Sequence, residues 1–236
     1  MNVVDPPGPA SFMAIAAHPD DIESWCAGTL ACAIDGGATG RLLLVTSGDK
    51  GSSNPADQPA SVAARREEEA RRGALVLGLA AAAFLRHPDG EVEPTPVLRG
   101  QVVEWIRRWR PDVVFTHDPE HPDPPYISHR DHRTVGRVTL DAVYPSARDP
   151  LSFPDHLRAG LAPHAVRHVW LFASAQADAY VDISAGFERK LSARLEHASQ
   201  TPDPDALREG WRQRSATLGA PAGLPLAEAF TILHLE

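Results

Sequence analysis

Short apolar runs alternate with longer amphipathic stretches through the first two-thirds of the chain. The runs end at Gly, Pro or polar residues, as buried strands do, whereas the longer stretches carry apolar residues at helical spacing. This pattern predicts strands at 11–17, 41–46, 82–85, 112–116 and 166–172, and a closing strand at 229–235. It predicts helices at 22–35, 61–79, 96–109, 129–143 and 184–198, with Ser61 as an N-cap and Val97 on an apolar face.

Strands separated by helices predict a mostly parallel sheet joined by right-handed crossovers. The fold class is therefore α/β, a Rossmann-like fold of three layers. In the doubly wound order 3-2-1-4-5, the first and fourth predicted strands are neighbours, and the loops leaving them flank the switch point where such folds bind ligands. The sequence contains no repeat or interdomain linker, so we expect a single domain over 1–236, with a core at 12–145 and C-terminal elements at 146–236.

Composition narrows the function classes. The chain has 236 residues, a formal net charge of −8 and a pI of about 5.7, which argues against a nucleic-acid or acidic-membrane partner. The first ten residues lack the basic start and apolar run of a signal peptide, and no stretch approaches the roughly 18 apolar residues of a membrane helix. Cys26 and Cys32 fall in one predicted helix, so we expect no disulfide and a cytoplasmic location.

The two most imidazole-rich segments follow the first and fourth predicted strands. The first strand leads into HPDD at 18–21, and the fourth leads into HDPEHPDPPYISHRDH at 117–132. The predicted strand order brings both segments to one edge of the sheet. His18 and Asp21, with one imidazole from His129 or His132, would form a two-histidine, one-aspartate set suited to zinc, with a fourth position open to water.

The adjacent carboxylates of Asp20 and Asp21 repel each other unless each has its own task. A bound Zn²⁺ would lower the pKa of a coordinated water from about 15.7 toward about 7. Asp21 would then coordinate the cation while Asp20, unligated, accepts the proton of the water. The remaining histidine of the second segment would hydrogen-bond the developing oxyanion or protonate a leaving amine. His117 and His121 are interpreted as loop residues rather than ligands.

At these residues the chain resembles the LmbE/PIG-L family of zinc-dependent N-deacetylases, which remove acetyl groups from N-acetylglucosamine units or related amino sugars. The resemblance rests on AHPDDIE (17–23) together with HRDH (129–132). Three further segments stand in family order: RREEEARRGALVLG, HPDGEV and IRRWRPDVVFTHDP. The likeness covers roughly residues 12–145 and, less clearly, 166–198.

Carried over by position, the resemblance implies roles for six residues. The implied zinc ligands are His18, Asp21 and His132. Asp20 is implied to be the general base. His129 is implied to stabilise the tetrahedral oxyanion and to protonate the leaving amine, with Asp131 orienting it.

The resemblance also implies substrate contacts. Arg66 and Asp89 fall where family members contact sugar hydroxyls, although from the residues alone Arg66 also fits a solvated helix face and Asp89 a turn. Some members place a Tyr two residues before the first His of the second motif, where it polarises the amide carbonyl. Here that position is Ile127, so the adjacent Tyr126 is the candidate for this contact.

Together these residues predict a zinc-dependent N-deacetylase that hydrolyses the acetamide of a small amino-sugar substrate. An amidase acting on a thiol conjugate or an antibiotic intermediate would share every catalytic residue. Because two histidines and one carboxylate also hold Fe²⁺ in oxygenases, a non-haem iron enzyme is a more distant alternative. A non-catalytic sugar-binding relative is disfavoured, since binding alone needs no Asp20–His129 proton-transfer pair. The Trp and Pro content of the C-terminal third hints at a homo-oligomer interface.

Overall fold

The computed structural model of the protein describes residues 1–120, 122–123 and 126–235, with the backbone alone described at 122, 123 and 126. The strands are β1 Asn2–Val3, β2 Ser11–Ala16, β3 Thr39–Thr46, β4 Ala81–His87, β5 Val113–His117, β6 Pro122–Asp123, β7 Tyr126–Ile127, β8 His168–Phe172, β9 Ala179–Asp182 and β10 Ala227–His234. The α-helices are α1 Asp21–Trp25, α2 Ala27–Asp35, α3 Pro59–Leu77, α4 Pro96–Trp109, α5 Arg130–Asp141, α6 Pro154–Arg158, α7 Phe187–Leu195 and α8 Pro204–Gly219. Shorter helical turns span Ala142–Ser146, Ala198–Gln200 and Ala220–Ala222.

Eight strands form one sheet in the order β1-β9-β10-β8-β5-β2-β3-β4, and β6 pairs with β7 outside it. The block β4-β3-β2-β5-β8 is parallel throughout, so the predicted order 3-2-1-4-5 and the α/β fold class are confirmed. β10 lies between β8 and β9 and runs antiparallel to both, while β1 pairs parallel with β9. Because β2 and β5 are neighbours, the polar loops that leave them meet at one edge.

The sheet is buried on both faces, which gives the molecule its three layers. Successive side chains of a strand point to opposite faces, so Phe12 packs toward one side of the sheet and Met13 toward the other. Buried residues of α2, α3 and α7 cover the first face, and those of α4 and α5 cover the second. This burial explains why the central strands read as continuous apolar runs.

Several predicted boundaries and positions differ from the structure. The helix expected at 22–35 is two helices separated at Cys26, whose φ of −139° is not helical. Helix α3 begins at Pro59 with Gln58 before it, so Ser61 is not an N-cap; a proline suits the first helical position because the amide there has no helical partner. Val97 is 69% exposed, and Leu98 and Val102 line the buried side of α4 instead.

The C-terminal region holds most of the elements that the sequence pattern did not indicate. Strand β9 and helix α8 were not predicted, and α7 is shorter than the expected 184–198. Helix α7 packs against α1, α2 and α3, which ties this region to the loop that follows β2. Among the described residues, no helix is both long enough and apolar enough to span a bilayer.

Candidate active site

Two chain segments deliver the predicted site residues to the edge of the sheet. After β2 ends, the chain turns at Asp20, whose backbone is left-handed with φ 88°, and enters α1 at Asp21. After β5 ends at His117, the chain returns through α5, which begins directly after His129. Gly136 of α5 permits this close return, because an added Cβ there would lie 2.4 Å from the carbonyl oxygen of His117.

Potential ligand atoms of three residues form a small triangle, in which each imidazole faces a different carboxylate oxygen of Asp21. His18 Nδ1 lies 3.2 Å from His132 Nε2, and His132 Nε2 lies 3.1 Å from Asp21 Oδ1. The third side, from His18 Nδ1 to Asp21 Oδ2, is 3.5 Å. A tetrahedral Zn²⁺ bound at about 2.0–2.1 Å to each atom requires ligand separations of about 3.3 Å. The residues present therefore fit a single divalent cation, and the structure brings together the three residues predicted as ligands.

His117 also belongs to this cluster, contrary to its interpretation as a loop residue. The residue is the last of β5, is 1% exposed, and stacks on His132 with ring centroids 4.2 Å apart. Its Nε2 lies 3.2 Å from Asp21 Oδ2 and accepts the amide hydrogen of Ala17. The signal that could have found it is its place at the end of the strand beside the first motif.

Carboxylates surround His18 on the side away from the triangle. His18 Nε2 lies 3.0 Å from Asp89 Oδ1 and 3.4 Å from Asp131 Oδ2. Burial disfavours a charged imidazole, but contacts with Asp131, Asp21 and Asp89 outweigh it and raise the pKa of His18 to about 12. A carboxylate behind a ligating imidazole fixes the ring and increases its basicity, which is the usual outer arrangement of a metal site.

Asp21 remains charged despite its burial. Burial alone would raise the pKa of this carboxyl, but the His132 and His117 imidazoles hold the pKa well below its usual range. The amide of His18 also donates to Asp21 Oδ2 at 2.7 Å. Asp21 is thus a preformed anion inside the cluster.

The Asp131 carboxylate contacts the segment that follows β4 rather than the His129 ring that it was predicted to orient. Its carboxylate accepts hydrogen bonds from the amides of Gly90 and Val92, at 2.7 and 3.3 Å, and has no bond to the His129 ring among the described residues. It is instead the Asp131 amide that donates to His129 Nδ1, at 3.2 Å. An Nδ1 that accepts leaves the proton of the neutral ring on Nε2, so His129 offers an N–H donor.

His129 lies at the exposed rim of the cluster. Its ring meets that of His18 edge to face, with centroids 4.8 Å apart. Burial, together with the charges of His18 and His132, lowers the pKa of His129. The neutral ring with a proton on Nε2 is therefore the favoured form in the protein alone.

Asp20 does not contribute a vertex of the triangle and lies between two guanidinium groups. Arg66 Nη2 is 3.4 Å from Asp20 Oδ1, and Arg194 Nη2 is 3.6 Å from Asp20 Oδ2. Burial and the neighbouring charge of Asp21 raise the pKa of Asp20, while the two arginines oppose that rise. A carboxylate with a raised pKa is a better proton acceptor than one fixed in a tight ion pair.

Arg66 and Asp89, the residues predicted to contact the substrate, both have partners within the protein. Arg66 is 4% exposed and donates to the carbonyl oxygens of Gly48 and Pro19, so part of its donor capacity is already used within the protein. Asp89 faces His18 and accepts from the amide of Lys50 at 3.3 Å. Contacts of Arg66 and Asp89 with a sugar stay predictions.

The segment before the second motif is described only in part. The Tyr126 side chain lies outside the described residues, as does His121, so the predicted carbonyl contact of Tyr126 stays a prediction. Ile127, which stands where some family members carry Tyr, is 84% exposed.

Comparisons with known proteins agree with the motifs. Residues 13–143 match the PIG-L family, described as GlcNAc-PI de-N-acetylase. The chain is 34% identical over 191 residues to diacetylchitobiose deacetylase of Thermococcus kodakarensis, covering 81% of this chain and 70% of that protein. It is 26% identical over 224 residues to mycothiol S-conjugate amidase of Streptomyces coelicolor, covering 86% and 70% of the two chains.

A solved structure with the same fold is also similar. N,N'-diacetylchitobiose deacetylase from Pyrococcus horikoshii, in complex with its inhibitor MPG, superposes with a TM-score of 0.88. The match has 28% sequence identity and covers 95% of this chain and 84% of that one. The likeness therefore includes the C-terminal region beyond the residues matched to the family.

Proposed function

Because the chain belongs to the PIG-L family of GlcNAc-PI de-N-acetylases, we propose that it is a metal-dependent deacetylase acting on an N-acetylglucosamine-type amino sugar. The observation that carries this proposal is the triangle of His18, Asp21 and His132, with the Asp20 carboxylate next in sequence and close enough to Asp21 for that charge to raise its pKa. The triangle suits a cation, and the spare carboxylate suits a proton acceptor. A site that only bound sugar would need neither.

Zinc is the metal that we propose. The two imidazoles and one carboxylate are typical ligands of a catalytic Zn²⁺ site that keeps a fourth position open, although Fe²⁺ accepts the same set. Such a cation would supply hydroxide at neutral pH and polarisation of the acetamide carbonyl. His18, Asp21 and His132 would hold it.

The remaining side chains supply the proton transfers of the hydrolysis. Asp20 accepts a proton from the attacking water as the water oxygen bonds to the acetamide carbon. His129 donates a hydrogen bond from Nε2 to the carbonyl oxygen as negative charge develops there. When the carbon–nitrogen bond breaks, the proton that Asp20 took from the water passes to the nitrogen, and the free amine leaves with acetic acid, which ionises to acetate. Asp131 places His129 through its backbone amide.

The names of the relatives support an amino-sugar substrate. Two of the similar proteins are diacetylchitobiose deacetylases, whereas the mycothiol S-conjugate amidase is less similar in sequence. We therefore propose a small N-acetylated amino sugar as the substrate. A single domain over 1–236, a homo-oligomer and a cytoplasmic location stay predictions from the sequence.

A substrate panel with a matched variant tests the proposal. Purified protein with its metal content measured is assayed for acetate release from N-acetylglucosamine, N,N'-diacetylchitobiose and a mycothiol S-conjugate. We expect release from the amino sugars and a fall of kcat by about 10²- to 10⁴-fold in Asp20→Asn, the usual contribution of a general base. Full activity of Asp20→Asn would refute the base, and oxygen consumption without acetate release would favour iron chemistry.

A further inference from the structure

Asp20 and Asp21 are adjacent carboxylates with different proposed roles, one as the proton acceptor and the other as a metal ligand. Both are close to the same cluster, and a divalent cation would attract both. Asp21 is held by imidazoles at 3.1 and 3.2 Å. Asp20 is held on the other side by arginines, one for each of its oxygens.

Arg194 is the less expected of these two arginines. It lies on α7, outside the residues 13–143 that match the family. Its side chain is about nine-tenths buried, and its guanidinium is fixed by a hydrogen bond to Thr201 Oγ1 at 2.6 Å and another to the carbonyl oxygen of Gln200 at 2.9 Å. One face of the group also lies 5.9 Å from the Trp211 ring. A group anchored this firmly presents its charge to Asp20 in one place.

Arg66 holds the opposite side of Asp20. Its guanidinium is anchored on the carbonyl oxygens of Gly48 and Pro19, at 3.0 and 2.7 Å. A glycine suits residue 48, because its φ of +62° is left-handed and an added Cβ would lie 2.0 Å from Arg66 Nη1 and displace the guanidinium. Two anchored cations on the two oxygens restrict rotation of the Asp20 carboxylate.

We propose that Arg194 is a positioning residue that, together with Arg66, keeps the Asp20 carboxylate out of the metal coordination sphere and oriented for proton transfer. The inference rests on the proposed function for the role of Asp20. Without Arg194, one carboxylate oxygen loses its partner and Asp20 rotates toward the cation. Asp20 then becomes a second carboxylate ligand and a poorer base.

The alternative role for Arg194 is to fasten the turn at 198–201, and two controls separate the roles. Thr201→Val removes the hydrogen-bond acceptor of that turn and leaves the Asp20 contact in place. Arg189→Ala removes another arginine of α7, one that pairs with Asp35 at 2.7 Å on the exposed side. We expect Arg189→Ala to keep wild-type kcat, because Arg189 does not touch Asp20, and Thr201→Val, which removes only one anchor of Arg194, to lose much less than Arg194→Ala.

The kinetic test is a double-mutant cycle with the metal-loaded enzyme. We expect Arg194→Ala to lower kcat by about 10- to 100-fold with KM nearly unchanged, as a misplaced catalytic group does. Arg194→Lys, which keeps the charge but not the planar fork, should recover part of the loss. In the Asp20→Asn background, removal of Arg194 should change kcat by less than about 2-fold, because residues that act through one another are not additive.

The cycle overturns the proposal if Arg194→Ala keeps wild-type kcat, if Thr201→Val loses as much, or if the loss is undiminished in Asp20→Asn. A second readout needs no substrate: the visible spectrum of the Co²⁺-loaded protein reports the number of ligands. Arg194→Ala should shift it toward higher coordination, and Arg194→Ala with Asp20→Asn should restore the wild-type spectrum. If the wild type releases no acetate, the proposed function fails, and the spectrum decides alone: no shift refutes the positioning role.

Discussion

Two regions of the molecule bury charged side chains, and they balance those charges differently. In the C-terminal region, Lys190 Nζ lies 2.6 Å from Glu228 Oε1, and both side chains are less than 5% exposed. The same carboxylate accepts the amides of Gly28 and Thr29 at 3.0 and 2.8 Å. One cation therefore meets one anion, and backbone donors complete the anion's hydrogen bonds.

At the proposed active site, at the edge of the sheet, the charges do not cancel. One imidazolium, that of His18, faces three carboxylates, Asp21, Asp89 and Asp131. Burial opposes ionisation of these acids, but the imidazole neighbours lower the pKa of each. The edge thus retains an excess of negative charge that a divalent cation would offset. The comparison teaches that a closed ion pair indicates structure, whereas a buried charge imbalance indicates a site.

The largest expected effect comes from removing one vertex of the triangle. His132→Ala should lose the metal and lower kcat/KM by more than about 10³-fold, since a cation contributes several kcal/mol to the transition state. Metal analysis and acetate release measure this. His234→Ala, an exposed histidine that contacts His168, is the matched control. Full metal content in His132→Ala would show that the metal does not depend on this cluster of charges.

Removing one partner of the buried Lys190–Glu228 ion pair should lower the stability of the fold. Lys190→Met leaves Glu228 buried and unpaired, which should cost about 3–5 kcal/mol in the free energy of unfolding. Lys190→Met combined with Glu228→Gln should recover much of that loss, because no buried charge remains. Urea unfolding measures both variants. If Lys190→Met were as stable as the wild type, Lys190 would not be needed to neutralise the buried charge of Glu228.

The metal affinity of the proposed site should depend on pH, because His18 must lose a proton to bind a cation. His18, with a pKa of about 12, carries a proton at neutral pH, and that proton must leave before the imidazole binds a cation. Because the proton competes with the metal, apparent affinity should rise about tenfold per pH unit near neutrality. Calorimetry in buffers of different ionisation enthalpy measures the released proton. A pH-independent affinity would contradict the charge arrangement at His18.

The smallest effect concerns Glu67, a buried acid near the site whose partner is exposed. Hydrogen bonds from Arg86 lower the pKa of Glu67 to about 2 against the effect of burial. A lowered pKa stabilises the fold above the unfolded value near 4.5, and the contribution disappears as pH falls toward 2. Glu67→Gln should cost about 1 kcal/mol at pH 7, discounted because Arg86 is 65% exposed, and less at low pH. Urea midpoints measure this, with the exposed Glu68→Gln as control.

Local sequence patterns were sufficient for the parallel block and for the two polar segments of the candidate site, whereas the choice of His132 over His129 as the third ligand came from the family resemblance. Buried parallel strands must be apolar throughout, so β2, β3 and β5 stand out as continuous runs. The predicted ligands His18 and Asp21 follow β2 closely, which is why they could be placed at the edge of the sheet without coordinates. Ligand type and strand order together indicated the switch point.

Other parts of the site depend on long-range packing that no local pattern records. His117 became part of the cluster only because α5 returns close to the end of β5 across Gly136. Arg194 resembles a solvated helix arginine in sequence, and its meeting with Asp20 depends on α7 packing against α1. Helix α8 is only weakly amphipathic, with buried Ser215 and Gly219, and so lacked a clear apolar stripe.

The place of β10 in the sheet has a consequence for how the chain assembles. This strand follows the other strands of the sheet in the sequence, yet it lies between β8 and β9, so β9 and β1 join the sheet only through it. Until β10 inserts, the β1–β9 ribbon is detached from the sheet, and the free edge of β8 can pair with another chain. A folding intermediate that lacks β10 is therefore prone to strand pairing between molecules.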